Sequence, residues 1–92
     1  MDKDKAINFL NKIDVDTTGS FEPQRYILEI DNSDDYSYYY TLLNSIEDLE
    51  LVDTSSMSTE YATVLKYKDD DYTISLNANF IDDYYTFVLE EN

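Results

Sequence analysis

The chain has 92 residues, 21 Asp plus Glu against 6 Lys plus Arg, and a formal net charge of -15. This length allows one small domain. With no Cys and no His, a disulfide framework, thiolate or imidazole metal sites, a Cys nucleophile and a Ser-His triad are all excluded.

High charge alone would suit a disordered chain. Here 42% of residues are hydrophobic and 15% aromatic, with ten Tyr and four Phe. Such a composition predicts a folded domain whose core is built largely from Tyr and Phe rings. The opening Met1-Asp2-Lys3-Asp4-Lys5 is charged, and the apolar run after it is short and broken by Asn8, Asn11 and Lys12. No secretory leader is expected from it. No stretch approaches the ~20 apolar residues of a membrane span. The expectation is a soluble cytoplasmic protein.

Residues 3–13 read as an amphipathic helix, with Ala6, Phe9, Leu10 and Ile13 at helical spacing, Ile7 beside them, and Asp2 or Asp4 as cap. The polar run from Asp14 to Gly19 ends it, with the only glycine read as the stop. Pro23 then biases Glu22 toward extended backbone. Residues 24–31 alternate as a strand through Tyr26, Leu28 and Ile30. Ser33 followed by Asp34 and Asp35 is a helix start, which predicts a helix over 34–47 with Tyr36, Tyr39, Tyr40, Leu43 and Ile46 on one face. Tyr36, Tyr38, Tyr40 and Leu42 also alternate, so a strand competes for this segment, but the cap and the Leu42–Ile46 continuation favour helix.

Residues 49–53 read as a short strand, and a Ser/Thr-rich loop follows through Thr59. The last third carries the clearest pattern. Residues 60–68, 72–80 and 84–90 each alternate, joined by the Asp-rich turns Asp69-Asp70-Asp71 and Ile81-Asp82-Asp83. This predicts a three-strand antiparallel meander with one apolar and one neutral polar face. The fold class is therefore α+β: two short helices packed on one face of an antiparallel sheet, within a single domain spanning 1–92.

The acids are unevenly placed. Residues 1–46 carry a net -5 and residues 47–92 a net -10. The meander sets Asp69, Asp70, Asp71, Glu90 and Glu91 at one end of the sheet, and Asp82, Asp83 and Glu60 at the other. Adjacent strands are ~4.8 Å apart, so the first five are expected to lie close together. Acids in turns are ordinary. A net charge of magnitude ~2–8, however, keeps a small domain soluble, and this chain carries about twice the upper end. Some tyrosines fall on the wrong phase to be buried. Tyr38 with Asp34 and Asp35, and Tyr84 with Asp82 and Asp83, are the expected contact points, because an exposed ring beside a carboxylate suits an interface.

One motif points to metal. Asp14-Val15-Asp16-Thr17-Thr18-Gly19-Ser20-Phe21-Glu22 resembles the first nine positions of an EF-hand loop, which would make Asp14, Asp16, Thr18 and Glu22 candidate calcium ligands. Arg25 stands where the bidentate Glu belongs, and Pro23 opposes the outgoing helix. No metal and no cofactor is therefore expected. Nor does a chain so charged offer an apolar pocket in which paired carboxylates could divide acid and base roles, so no enzyme is expected.

In size, acidity and lack of catalytic residues the chain resembles the small phage-encoded DNA-mimic and anti-CRISPR inhibitors. The resemblance is one of whole-chain character and rests on no family motif. It implies a non-enzymatic inhibitor acting in the host cytoplasm, which binds the basic groove of a CRISPR effector, restriction enzyme or nuclease by imitating nucleic-acid charge. Direct contact with nucleic acid or an anionic membrane is not expected, because phosphates repel such a surface. An immunity protein or antitoxin neutralising a basic nuclease toxin is the alternative. A calcium-responsive binding module is a further one.

Overall fold

A computed structural model describes all 92 residues. Two helices, α1 (Lys3–Lys12) and α2 (Ser33–Asn44), accompany six strands: β1 (Ser20–Phe21), β2 (Arg25–Ile30), β3 (Glu50–Val52), β4 (Ala62–Lys68), β5 (Tyr72–Asn79) and β6 (Tyr84–Glu91). All six strands form one antiparallel sheet in the order β1-β2-β6-β5-β4-β3. The fold is α+β, and β4 to β6 are the expected meander. No helix is long and apolar enough to cross a membrane.

The register builds the core row by row. Tyr26, Leu89, Ile74 and Tyr67 face inward side by side; so do Leu28, Phe87, Leu76 and Leu65; and so do Ile30, Tyr85, Ala78 and Thr63. Alternation with period two places each of these on the helix side of the pleat. All but Leu65 and Thr63 are buried. Rings knit the two layers together. Phe9 of α1 lies 4.6 Å from Tyr72, and Tyr36 and Tyr39 of α2 lie 5.2 Å from Tyr85 and 6.1 Å from Phe87.

Asp2 caps α1 by accepting from the Lys5 N–H at 3.2 Å. The end of α1 is a Schellman motif: the Val15 N–H donates to the Leu10 carbonyl at 2.8 Å and the Asp14 N–H to Asn11 at 3.2 Å. Asp14 takes the left-handed conformation this requires, with φ 61. The helix stop is therefore Asp14. The glycine read from sequence as the stop, Gly19, does different work. A Cβ there would meet the Ile27 carbonyl at 2.3 Å and the Tyr26 ring at 2.8 Å.

The second helix also differs in detail from its sequence reading. Asn32, one residue earlier than Ser33, is the cap, and its side chain accepts from the Asp35 N–H at 2.9 Å. Tyr36, Tyr39, Leu43 and Ile46 turn inward, whereas Tyr40 is 44% exposed. Helical spacing puts Tyr40 on the margin of that stripe.

The helices cover the apolar face only in part. Each helix is ~10 Å wide, while a six-strand sheet is ~24 Å across. Contacts of α2 concentrate on β2 and β6. Leu51, Tyr61 and Phe80, which share the inward phase, are left 55%, 55% and 51% exposed.

Candidate functional site

Twenty of the 21 acids are exposed, and the one half-buried exception is Asp69. Its carboxylate accepts the N–H groups of Asp71 at 2.8 Å and Tyr72 at 2.7 Å, so it shapes the β4–β5 turn. Asp70 and Asp71 make no such side-chain bond and point their charge outward.

The register brings Glu91 opposite Tyr72 and Glu90 opposite Thr73, at the same sheet end as the Asp69–Asp71 turn. Asn92 ties the C-terminus to this turn, donating through its side chain to the Asp69 carbonyl at 2.9 Å. The five predicted carboxylates therefore share a rim but divide there. Asp69, Asp70 and Asp71 border an open depression together with Asp48, Glu50 and Lys68. Glu90 lies instead on the outer face in register with Arg25, close to Glu22. The sequence reading missed Asp48 and Glu50. They join because β3 pairs with β4 and sets Glu50 opposite Lys68.

The other end of the sheet holds Asp82 and Asp83 in the β5–β6 turn. Asn79 organises this turn: its carbonyl oxygen accepts from the Ile81 and Asp82 N–H groups, each at 3.1 Å, and its amide donates to Asp82 at 3.1 Å. Asp83 is left-handed, φ 52, and accepts the Tyr85 hydroxyl at 2.7 Å. That bond holds the Tyr85 phenol above its ordinary value. The neighbouring Glu60 does the same for Tyr61. It is thus Tyr85 that grips Asp83. Tyr84, expected with Asp82 and Asp83 as a contact point, lies on the outer face beside Thr18, Ser20 and Glu29.

Tyr38 is 53% exposed, as its phase requires. Its hydroxyl reaches Asp14 at 3.5 Å. Asp35 borders a cleft with Tyr38, Asp16, Glu29 and Asp31. Asp34 stands in the first turn of α2, where the helix dipole favours it.

The fold adds no support to the calcium reading: no group of three or more acidic side chains, Asp14, Asp16 and Glu22 included, is placed to hold a metal. Asp16 accepts from the Thr18 N–H at 2.9 Å, and Glu22 is drawn to Arg25 at 3.1 Å. The chain then enters β1 and β2 instead of an outgoing helix, because Tyr26 must reach back to cover Gly19.

Charge is segregated by surface. On the outer face of the sheet Arg25, Lys66 and Lys68 balance Glu29, Glu50 and Glu90, leaving that face neutral. No Lys or Arg occurs in residues 26–65 or 69–92. The β5–β6 end is therefore purely anionic, with Asp31, Glu60, Asp82 and Asp83 around it. The Arg25–Glu22 contact is the single ion pair of the fold.

No family model, no curated protein and no solved structure matches this chain.

The arrangement offers carboxylates held by hydrogen-bonded turns on a rigid sheet.

Proposed function

We propose that this chain is a protein inhibitor of the anti-CRISPR or anti-restriction type, which occupies the basic nucleic-acid-binding groove of its target. The observation that carries this reading is the scarcity of internal counter-ions, six Lys plus Arg against 21 Asp plus Glu. One acid is paired with a base and the other twenty are not. Carboxylates used for stability are paired or buried with donors. Here they face solvent and repel one another, a cost to the fold that a cationic partner would turn into binding energy.

Two acidic rims joined by a neutral face present charge in clusters on a rigid frame. A duplex presents one phosphate charge per ~1.7 Å of axis to its protein, and a groove evolved for that density is the complementary surface. Opposed fields make encounter fast and salt-sensitive. The mechanism is occlusion, with no bond made or broken.

The test is competition. The chain is immobilised, and bound proteins are eluted either with a salt gradient or with a duplex oligonucleotide. The expected result is release of basic proteins by both, the duplex acting at low salt. Partners that the duplex fails to displace would overturn the reading.

A further inference from the structure

Three apolar side chains crowd the anionic end of the sheet without cover. The Phe80 N–H donates to the Tyr61 carbonyl at 2.8 Å, which extends the β4–β5 ladder and sets the two residues opposite each other on the inward phase. Ile81 follows in the turn. Tyr61, Phe80 and Ile81 are 55%, 51% and 69% exposed. Phe80 lies edge-on to the core ring of Tyr85, with 6.4 Å between ring centroids. Glu60, Asp82 and Asp83 flank the three in sequence, and the nearest basic residue along the chain is Lys66.

We infer that Tyr61, Phe80 and Ile81 form an apolar anchor for a basic protein surface in which an aliphatic side chain stands among Lys and Arg. The inference rests on the inhibitor reading and deepens it, because it names the end of the sheet that docks and adds a contact that salt does not screen. Charge complementarity selects the occupant. The apolar centre is flanked in sequence by Glu60, Asp82 and Asp83 with no Lys or Arg among its chain neighbours, the pattern that a cationic rim around a hydrophobic protrusion would satisfy. A second copy of the chain would bring two sets of Glu60, Asp82 and Asp83 together, with -15 on each molecule, so self-association is opposed. Nucleic acid is opposed for the same reason. An interface ordered this way has two parts: the acids steer and the apolar anchor holds.

The test uses the full chain and two synthetic peptides of equal length and charge, one alternating Arg with Leu and one alternating Arg with Gly. Binding is measured by fluorescence anisotropy at 0.05 and 0.3 M NaCl. The expected result is a preference for the Arg/Leu peptide of roughly tenfold, maintained at the higher salt, since burial of apolar area does not depend on screening. Phe80→Ser with Ile81→Ser is expected to abolish the preference and leave Arg/Gly binding intact. Tyr61→Ser reports on the same anchor separately, and Leu51→Ser, which alters an exposed apolar residue on a distant edge, is expected to change nothing. Equal binding of both peptides by the unaltered chain would overturn the anchor and leave the inhibitor reading standing. A preference surviving in both anchor variants would also overturn it. Failure of both peptides to bind would overturn the inhibitor reading itself. Sedimentation of the unaltered chain as a dimer that the Phe80/Ile81 variant dissolves would make a second copy the occupant and overturn the choice of partner.

Discussion

Gly19 and Tyr26 are interlocked. The Gly19 N–H donates to the Tyr26 hydroxyl at 3.0 Å, and that hydroxyl donates onward to the Asp16 carbonyl at 2.6 Å. Tyr26 is fully buried, and the glycine is the only residue its ring leaves room for. Gly19→Ala forces a methyl against the backbone of β2, a contact no rotamer relieves. The expected cost is about 1–3 kcal/mol, read as a lower urea midpoint at unchanged slope. Tyr26→Phe keeps the ring but leaves a buried donor and acceptor unanswered, at an expected cost of about 1–2 kcal/mol. If either variant is as stable as the parent, the lock does not hold the 14–21 segment in place.

The elements most legible in the sequence are those whose side chains alternate against a single face. β4, β5 and β6 announce themselves through Tyr67, Ile74, Leu76, Phe87 and Leu89, and hairpins of consecutive strands need no long-range information. The place of β2 was not legible. Its pairing with β6 joins residues about 60 apart, as in Arg25 with Glu90, and nothing local encodes that choice. β1 is two residues long and carries no period. Asp48 and Glu50 join the rim of Asp70 and Asp71 through the β3–β4 pairing, which a strand pattern over 49–53 does not by itself specify. Exposure of Tyr61 and Phe80 was hidden for a different reason. Both sit on the apolar phase, and only the width of the helical layer decides which inward residues are covered.

Asp14 occupies the left-handed position that ends α1. An aspartate tolerates this backbone less well than glycine does. Asp14→Gly relieves that conformation and removes one of 21 acids from an overcharged chain. The variant is expected to gain about 0.5–1 kcal/mol. Thermal denaturation decides: a lower melting temperature would show that the Tyr38 contact with Asp14 outweighs the backbone term.

The hydroxyls of Tyr67 and Tyr72 are buried without a well-formed hydrogen bond: the Asn44 amide, the group nearest to serving Tyr67, donates to the Tyr40 carbonyl at 2.8 Å instead. A buried hydroxyl that has lost water and found no acceptor opposes folding. Removing it while keeping the ring is expected to be neutral or stabilising, by up to about 1 kcal/mol. Tyr67→Phe and Tyr72→Phe should therefore move the urea midpoint in the direction opposite to Tyr26→Phe. The three variants share one chemical change, so the comparison isolates the partners. A loss of stability at either position would place an ordered water on that hydroxyl.

Burial pushes the phenols of Tyr26, Tyr36, Tyr39, Tyr67 and Tyr72 above the ordinary value of 10.0. For Tyr72 the carboxylates of Glu91 and Asp71 push in the same direction. A raised folded value means that the native state holds these protons more tightly than the unfolded chain does. The resulting stabilisation is complete below about pH 10 and is lost as pH rises through the folded values. Urea midpoints are expected to fall steeply above that pH, in step with tyrosinate absorbance. A midpoint that stays level while the absorbance rises would mean that the ionising rings are solvated in the native state.

Salt separates a fold held by ion pairs from one strained by like charges. With a single ion pair among 21 acids, screening should relieve more repulsion than it removes attraction. The melting temperature is expected to rise between 0.02 and 0.5 M NaCl. Placement then matters as well as number. Asp70 shares its depression with Asp48, Glu50, Asp69 and Asp71, against Lys68 alone. Asp4 stands between Lys3 and Lys5 in the first turn of α1, where its charge is welcome. Asp70→Asn should therefore raise the melting temperature at low salt and Asp4→Asn should lower it, with the gap closing at 0.5 M. Equal shifts for the two would mean that only total charge acts on the fold and that the rim is not a true cluster, and the case for a complementary basic groove would weaken with it.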